Sequence, residues 1–484
     1  MSDPLRIYVD NINGDDVSPH ATEHHPVKSA DRAFTMLPPT WEGTAEIIFA
    51  NTGVNYEINA RSITFGRPNG SGSSLIIRGA YADVVSLAPA TRFTRNEIDL
   101  NTTSFAMDQL IGAVLTRVAR GDNAPFGPAV LIRGNDASRA DGERRITTLK
   151  LQRTMGPVAG DWSPSAPDSV LFSVQRPAVT LKPLNDLDLS SADPRSVNIA
   201  MIGIRIAPEP GKVLSLFNFR MYCDTCEFVF QRNVETTPLD RQWFACHVHT
   251  DSRIQGGIER AHLWPGVSGL REQAGVYIRG SSPGDVILTT TSSTLGGHLT
   301  FQDITAQVSQ GARFAPKSLE ALRSPIHILA GGQALGLLGG WGTATNRARI
   351  RNVPGAEGDG LRVMNGGEID STLSPLNLNI YGCGRDGVRI DGASRATFGV
   401  PEPNSSGVAT GLVTDGLPEN GDFGMNVRNC STALVGSDTD LKGRHDVAID
   451  GRITPSGVEG HVRTWAEVAT GLSHNGSLVR RYTS

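Results

Sequence analysis

Through much of the second half of the chain, apolar and polar residues alternate with period two over short runs that Gly, Asn and Asp interrupt. One phrase recurs: a Gly, an apolar residue, any residue, then a β-branched residue. It reads Gly275-Val276-Tyr277-Ile278, Gly360-Leu361-Arg362-Val363, Gly387-Val388-Arg389-Ile390 and Gly424-Met425-Asn426-Val427. The last three begin 27 and 37 residues apart, and the first precedes them by 85, close to three such steps. A glycine at a tight corner, followed by a strand with one face in and one out, describes one wall of a coil. Repetition of that unit every ~25 to 40 residues predicts a β-solenoid, whose coils bury their apolar faces on one another. The same alternation runs through Val197–Ile206, Leu216–Met221 and Cys226–Phe230, which are expected to be further rungs.

The N-terminal stretch reads strand, turn, short helix, strand. Ile7-Tyr8-Val9-Asp10 precedes the polar Asn13-Gly14-Asp15-Asp16, and Glu46-Ile47-Ile48-Phe49-Ala50 follows. Between them Val27, Ala30, Ala33, Phe34 and Leu37 fall at helical spacing until Pro38-Pro39 stops the pattern. The open end of a solenoid exposes core and strand edges, so the segment Ser29 to Leu37 is expected to be its plug.

This arrangement resembles the N-terminal region of right-handed parallel β-helix proteins of the pectate-lyase-like superfamily. The residues that carry the resemblance are Tyr8, Val9, Asn13, Gly14, Asp15, Asp16, Pro26, Lys28, Ser29, Ala33, Gly53 and Tyr56. It implies an all-β fold, a right-handed parallel β-helix with an N-terminal capping helix and loop insertions. The expected organisation is a strand and helix cap with the first coil over 1–60, irregular coils with long loops or an insertion over 61–190, regular coils over 191–430, and a C-terminal coil, cap or attachment tail over 431–484.

Composition narrows the functional classes. A net charge of -4 offers no basic stripe for nucleic acid. Of 45 cationic residues only six are Lys, a bias that GC-rich coding explains as readily as function. The least polar long run, Ile326 to Trp341, holds five glycines in 16 positions and is too short to span a bilayer. Met1 to Pro4 shows no basic segment leading into an apolar one, so no secretory signal peptide is expected. Five cysteines in 484 residues do not make a disulfide scaffold.

Three patterns bear on chemistry. Cys223, Cys226, Cys246 and His249 have the residue types of a tetrahedral zinc site, although period two also places Cys223 and Cys246 among apolar neighbours as core residues. Asp359, Asp386 and Asp422 beside Arg362 and Arg389 suggest an outward ladder, which either binds sugar hydroxyls or carboxylates or pairs its own charges along the stack. The loop with Asp10, Asn13, Asp15 and Asp16 suits either calcium or a self-satisfied turn. His20, His24 and His25 follow in a polar loop and are expected to face solvent.

Glycosidases of this fold need two carboxylates across a groove, and lyases need a base beside a uronate. Acids near an Arg occur at Asp251 with Arg253, Glu259 with Arg260 and Glu272 with Arg271, so Asp251, Glu272 and Asp386 are the catalytic candidates, and Arg362, Arg389 and Asp359 the carbohydrate-binding ones. No cofactor is expected. Resemblance to phage tailspikes and fibres implies a structural, receptor-binding component of a phage tail or phage-like contractile injection particle. Such a protein is made in the cytoplasm and then located in the particle tail. Its expected partners are bacterial surface polysaccharide, other tail or baseplate proteins and two further copies in a homotrimer. The competing expectation is a polysaccharide hydrolase or lyase on the same fold.

Overall fold

The computed structural model describes residues 5–93, 97–119, 125–151, 170–192, 198–236, 243–256, 275–281, 286–335, 342–343, 346–356, 358–370, 377–398, 411–413, 418–429, 432–435, 445–449, 452–453, 472–474 and 477–481. They are almost entirely strand and fall into two compact units, one comprising Met1–Phe230 with Asp251–Ile278 and the other Gln231–Thr250 with Arg279–Ser484. Among the described residues no helix is long and apolar enough to cross a membrane.

In the first unit the strands stack in parallel, each on its counterpart from the preceding coil. Leu5–Val9, Thr40–Phe49, Arg67–Arg78, Asn198–Ile202, Arg220–Asp224 and Arg253–Gly256 form one such stack. Tyr56–Ile58, Val179–Pro183, Ile204–Ile206 and Cys226–Val229 form another. Successive coils thus align like with like, an arrangement compatible with a β-solenoid.

The corner between the two stacks is one residue in the left-handed region: Gly203 at φ 61° and Thr225 at φ 51°. In the coil before Gly203 the same corner, between Arg78 and Val179, opens to admit a separate structure. The strands Tyr81–Phe93, Glu97–Asn101, Arg144–Leu151, Pro125–Asn135, Val114–Ala119 and Val170–Pro177 pair antiparallel in that order, and the last returns to pair with the first. The result is a barrel, a closed ring of six strands to which Arg139–Asp141 adds as a short seventh strand beside Arg144–Leu151. Its interior is apolar, with Ile98, Leu100, Leu149 and Leu151 at 0 % exposure.

The barrel meets its own unit's coils where Tyr81 packs on Ile76, Ala200, Ile202 and Tyr222, and again around Arg176. Arg176, near the end of its last strand, lies 3.5 Å from Glu227 and 5.5 Å from the centre of the Tyr277 ring, and it donates to the Ile111 carbonyl at 2.8 Å. Gly112 meets that same Tyr277 ring so closely that a Cβ there would stand 2.2 Å from it.

The expected capping helix is not seen as such. Only a six-residue helix forms, α1 (Ala30–Thr35), started by Ser29, whose hydroxyl accepts from the Arg32 N–H at 3.1 Å. Its Phe34 ring packs 6.3 Å from Phe49 and 5.8 Å from Phe65, so it lines the first coil's core rather than lying across an end as a long plug. The preceding loop satisfies itself: Asp10 accepts from the Ile12 and Asn13 amides at 2.9 Å, and Asp16 from the Lys28 and Ser29 amides at 2.8 and 2.9 Å. That hydrogen bonding is the turn reading of the Asn-Gly-Asp-Asp sequence.

In the second unit the strands Trp243–His249, Val286–Thr291, Ile304–Ser309, Ile326–Ile328, Leu361–Met364, Val388–Asp391 and Phe423–Val427 stack in parallel, one above the next. A second stack runs from Thr294–Gln302 through Arg313–Leu322 and Asn346–Arg351 to Asn377–Tyr381. The corner residues between the two stacks are Asp303, Arg323, Asn352 and Gly382, with φ from 50° to 68°. Non-glycine residues pay for that conformation; here the corners hydrogen-bond in series, Asp303 N–H to Leu322, Arg323 N–H to Arg351 and Asn352 N–H to Tyr381. Inward positions such as Ile326, Leu361 and Val388 are at 0 % exposure and each contributes about 1.5–3 kcal/mol of burial.

Three of the four recurring phrases occupy successive rungs, with Leu361, Val388 and Met425 in one register column. The fourth, at Gly275, belongs to the other type of stack, since Val276–Arg279 lies beside Cys226–Val229. The glycine itself also has a different role from a corner. Gly360 does not need a left-handed φ; a Cβ there would meet the Ile380 side chain at 2.4 Å, Cys383 Sγ at 2.8 Å and the Gly387 carbonyl at 2.9 Å. Close packing between coils selects glycine at this position.

Candidate functional site

Register in the second unit places one outward residue per rung in a row: His247 beside Thr289, then Gln307, His327, Arg362, Arg389 and Asn426. The neighbours on either side, such as Ile326 and Ile328 or Leu361 and Val363, are buried, while the row residues from His247 to Arg389 are half-buried. Asn426, at 1 % exposure, closes the row. Rungs lie ~4.8 Å apart, so the six open positions span ~24 Å.

Below the Arg end lies a buried ionic network. Arg385 grips Asp359 with both arms, Nε to Oδ1 at 2.7 Å and Nη2 to Oδ2 at 2.5 Å. Arg362 stands 3.5 Å from the same carboxylate. Asp386 accepts from Asn426 Nδ2 at 2.9 Å, and Asn426 in turn accepts from Arg428 Nε at 3.0 Å. Arg389 donates to Asp391 at 3.0 Å, which also accepts from Asn429 at 2.5 Å. The sequence-based ladder of outward acids is therefore corrected: Asp359 and Asp386 are at 2 % and 0 % exposure and face into the stack, while Arg362 and Arg389 face out. The short Asp-Gly turn turns the acid inward before the strand begins, and the Arg of the rung covers it.

Burial, reinforced by the nearby Asp359 charge, pushes the Asp386 carboxyl up to about 6 despite the Asn426 hydrogen bond and the Arg385 and Arg389 charges. Its Oδ1 meets no hydrogen-bond partner among the described residues. The folded protein therefore favours the protonated acid, and this contribution to stability is complete below about pH 4 and lost as pH rises through about 6. Asp386→Asn is expected to stabilise the protein at pH 8 by on the order of 2 kcal/mol and to leave it unchanged at pH 4. Urea unfolding at the two pH values checks this; equal effects at both would refute it. Burial, and then the Arg362 charge, hold the His327 imidazole down at about 4, so it is neutral near pH 7.

Among the described residues, Cys223, Cys226, Cys246 and His249 included, no three His, Cys, Asp or Glu side chains converge on a possible metal. Cys226 Sγ donates to the Met201 carbonyl at 3.0 Å, and burial, followed by the contact with Cys226, pushes the Cys223 thiol up. Cys246 is pushed up to about 12 by burial, and His249 pairs with the Thr291 hydroxyl at 2.9 Å. These side chains are core and rung residues. Cys246 lies beside Leu288 in the sheet that carries the outward row, and Cys226 belongs to the other sheet.

Of the catalytic candidates, Asp251 is exposed at a corner with φ 51°, and Arg253 close by donates to the Tyr222 hydroxyl at 3.4 Å rather than marking a site. Glu259 and Glu272, with Arg260 and Arg271, lie outside the described residues. Sequence reasoning did not single out Arg385, His327, Thr289 or Gln307. A signal for His327 was present, since Ile326-His327-Ile328 repeats the apolar, free, apolar phrase without its glycine.

No protein-family model matches the chain, and no curated protein matches it. Among solved structures, one described as "The complex structure of XylC with xylose" is similar over 93 % of this chain and 87 % of that one, at 10 % identity and a TM-score of 0.20. So loose a superposition leaves the reading of the fold to the strand pairing of this chain itself.

Proposed function

We propose that this chain is a structural, surface-polysaccharide-binding component of a phage tail or phage-like contractile injection particle, of tailspike, fibre or baseplate type, built on a right-handed parallel β-helix. The observation that supports binding is the row of six half-buried polar side chains, His247 to Arg389, held in register on stacked parallel strands. Such a row offers donors and acceptors at even intervals on a stiff surface, which suits an extended polymer of hydroxyl-bearing units. Stiffness also suits a particle component, which must hold its binding surface away from the body that carries it. Assembly as a homotrimer with other tail or baseplate proteins belongs to the same reading, which for the particle rests on resemblance of the N-terminal region and on fold analogy.

A second reading, a polysaccharide hydrolase or lyase, draws on Asp386. A carboxyl raised to about 6 next to a second carboxyl, Asp359, is the kind of pair that divides acid and base roles. The two readings part on one experiment. The purified protein is incubated with capsular and lipopolysaccharide glycans while chain length and the ultraviolet absorbance of unsaturated uronate ends are followed. Retention of a glycan at constant length is the expected result. Shortening would replace the structural reading with the enzymatic one, and the absorbance would separate lyase from hydrolase.

A further inference from the structure

The row of outward side chains is not uniform along its length. At one end the Phe244 ring is 39 % exposed. It reaches the same side of the strand as His247 because the register slips by one residue between Phe244 and Cys246. The Phe244 and His247 rings lie 6.2 Å apart and nearly parallel at 14°, and His247 and His249 follow at 5.2 Å and 14°. His247 Nδ1 is fixed to the Thr289 hydroxyl at 2.8 Å, so the stacked rings do not depend on mobile rotamers.

At the other end the row itself presents two cations, with Asp391, 12 % exposed, paired to Arg389 beside it. Arg362 and Arg389 retain 24 % and 13 % side-chain exposure, whereas Asp359 and Asp386 beneath them retain 1 % and 0 %. The six positions comprise two guanidinium groups, two imidazoles, a hydroxyl and an amide, and no acid. Guanidinium groups in this setting suit carboxylates through paired N–H donors, and an exposed ring suits the C–H face of a sugar.

We infer that the row binds one extended acidic glycan, with its carboxylate-bearing sugar at Arg362 and Arg389 and an uncharged sugar ring packed on Phe244. This inference rests on the polysaccharide-binding reading and adds the charge class and direction of the ligand. Thr289, Gln307 and the neutral His327 between the ends donate to and accept from hydroxyls. The ~24 Å span predicts that short oligosaccharides engage one end and gain affinity until they reach both.

The test uses acidic bacterial polysaccharides, each paired with its carboxyl-reduced counterpart, and measures Kd for the full chain, for Arg362→Gln/Arg389→Gln and for Phe244→Ala. At least one acidic member is expected to bind ten-fold or more tighter than its reduced form. The double variant is expected to abolish that preference, and Phe244→Ala to weaken both forms alike. Should the double variant lose its fold by circular dichroism, Arg389→Gln alone replaces it. Equal affinity for acidic and reduced forms, a preference that survives loss of the guanidinium groups, or an unchanged Kd in Phe244→Ala would each overturn the inference. Binding without charge preference would leave the polysaccharide reading standing, whereas no binding by any glycan would remove both.

Discussion

Asp359→Ala is expected to destabilise the second unit by about 3–5 kcal/mol, the cost of leaving a buried guanidinium without its counter-ion. Arg385 is 12 % exposed and directs two donors at that carboxylate, whereas Asp386 stands 4.0 Å from Arg385 Nε. The backbone is affected as well, since the Asp386 N–H donates to Asp359 Oδ1 at 3.3 Å. One carboxylate thereby joins two rungs through three donors. Urea unfolding followed by circular dichroism measures the loss. The double variant Asp359→Ala/Arg385→Met is expected to recover much of it, because a matched apolar pair avoids the isolated charge. A loss below ~1 kcal/mol in the single variant would place this pair with ordinary surface ion pairs.

Gly112→Val is expected to cost about 3 kcal/mol or more, combining left-handed strain with overpacking. Gly112 sits at φ 76°, where a β-branched residue is strained, and the new Cβ would meet the Tyr277 ring at 2.2 Å. Because that ring also lies under Arg176, displacement would break this contact between barrel and coil, including the Arg176 to Glu227 pair. The barrel closes on itself and keeps its own core, so it is expected to stay folded while its attachment loosens. Limited proteolysis checks this: cleavage should rise at the connections near Gly79 and Ala178 and not within the barrel strands. Unchanged protection at both connections would mean that Tyr277 does not hold the barrel.

The stacking of coils was legible in the chain because period-two alternation and a recurring phrase are local properties that the fold repeats. Leu361, Val388 and Met425 share a column, as their common place in the phrase predicts. Gly275 shows the limit of that reasoning: its phrase fits a strand of either stack, and only long-range pairing assigned it to the other one. Long loops or an insertion over 61–190 were expected from the sequence, but closure of that region into a barrel was illegible for a related reason. A closed antiparallel ring needs pairings between distant segments, such as Arg144–Leu151 with Glu97–Asn101, that no local pattern records.

The candidate site divides in the same way. Arg362 and Arg389 were found because each occupies the free position of a recurring phrase, and a strand's alternation fixes which side that position faces. Asp359 and Asp386 were found with the wrong orientation, because a residue in a turn has no such periodicity. Arg385, Asn426 and the stacked Phe244, His247 and His249 needed three-dimensional contacts, in one case across a register slip. The sequence by itself determined that the chain is built of short stacked strands with a polar residue between apolar ones. The tertiary structure decided which polar residues share a row and which acids lie beneath it, since pairing between coils, and no property of any one coil, sets both.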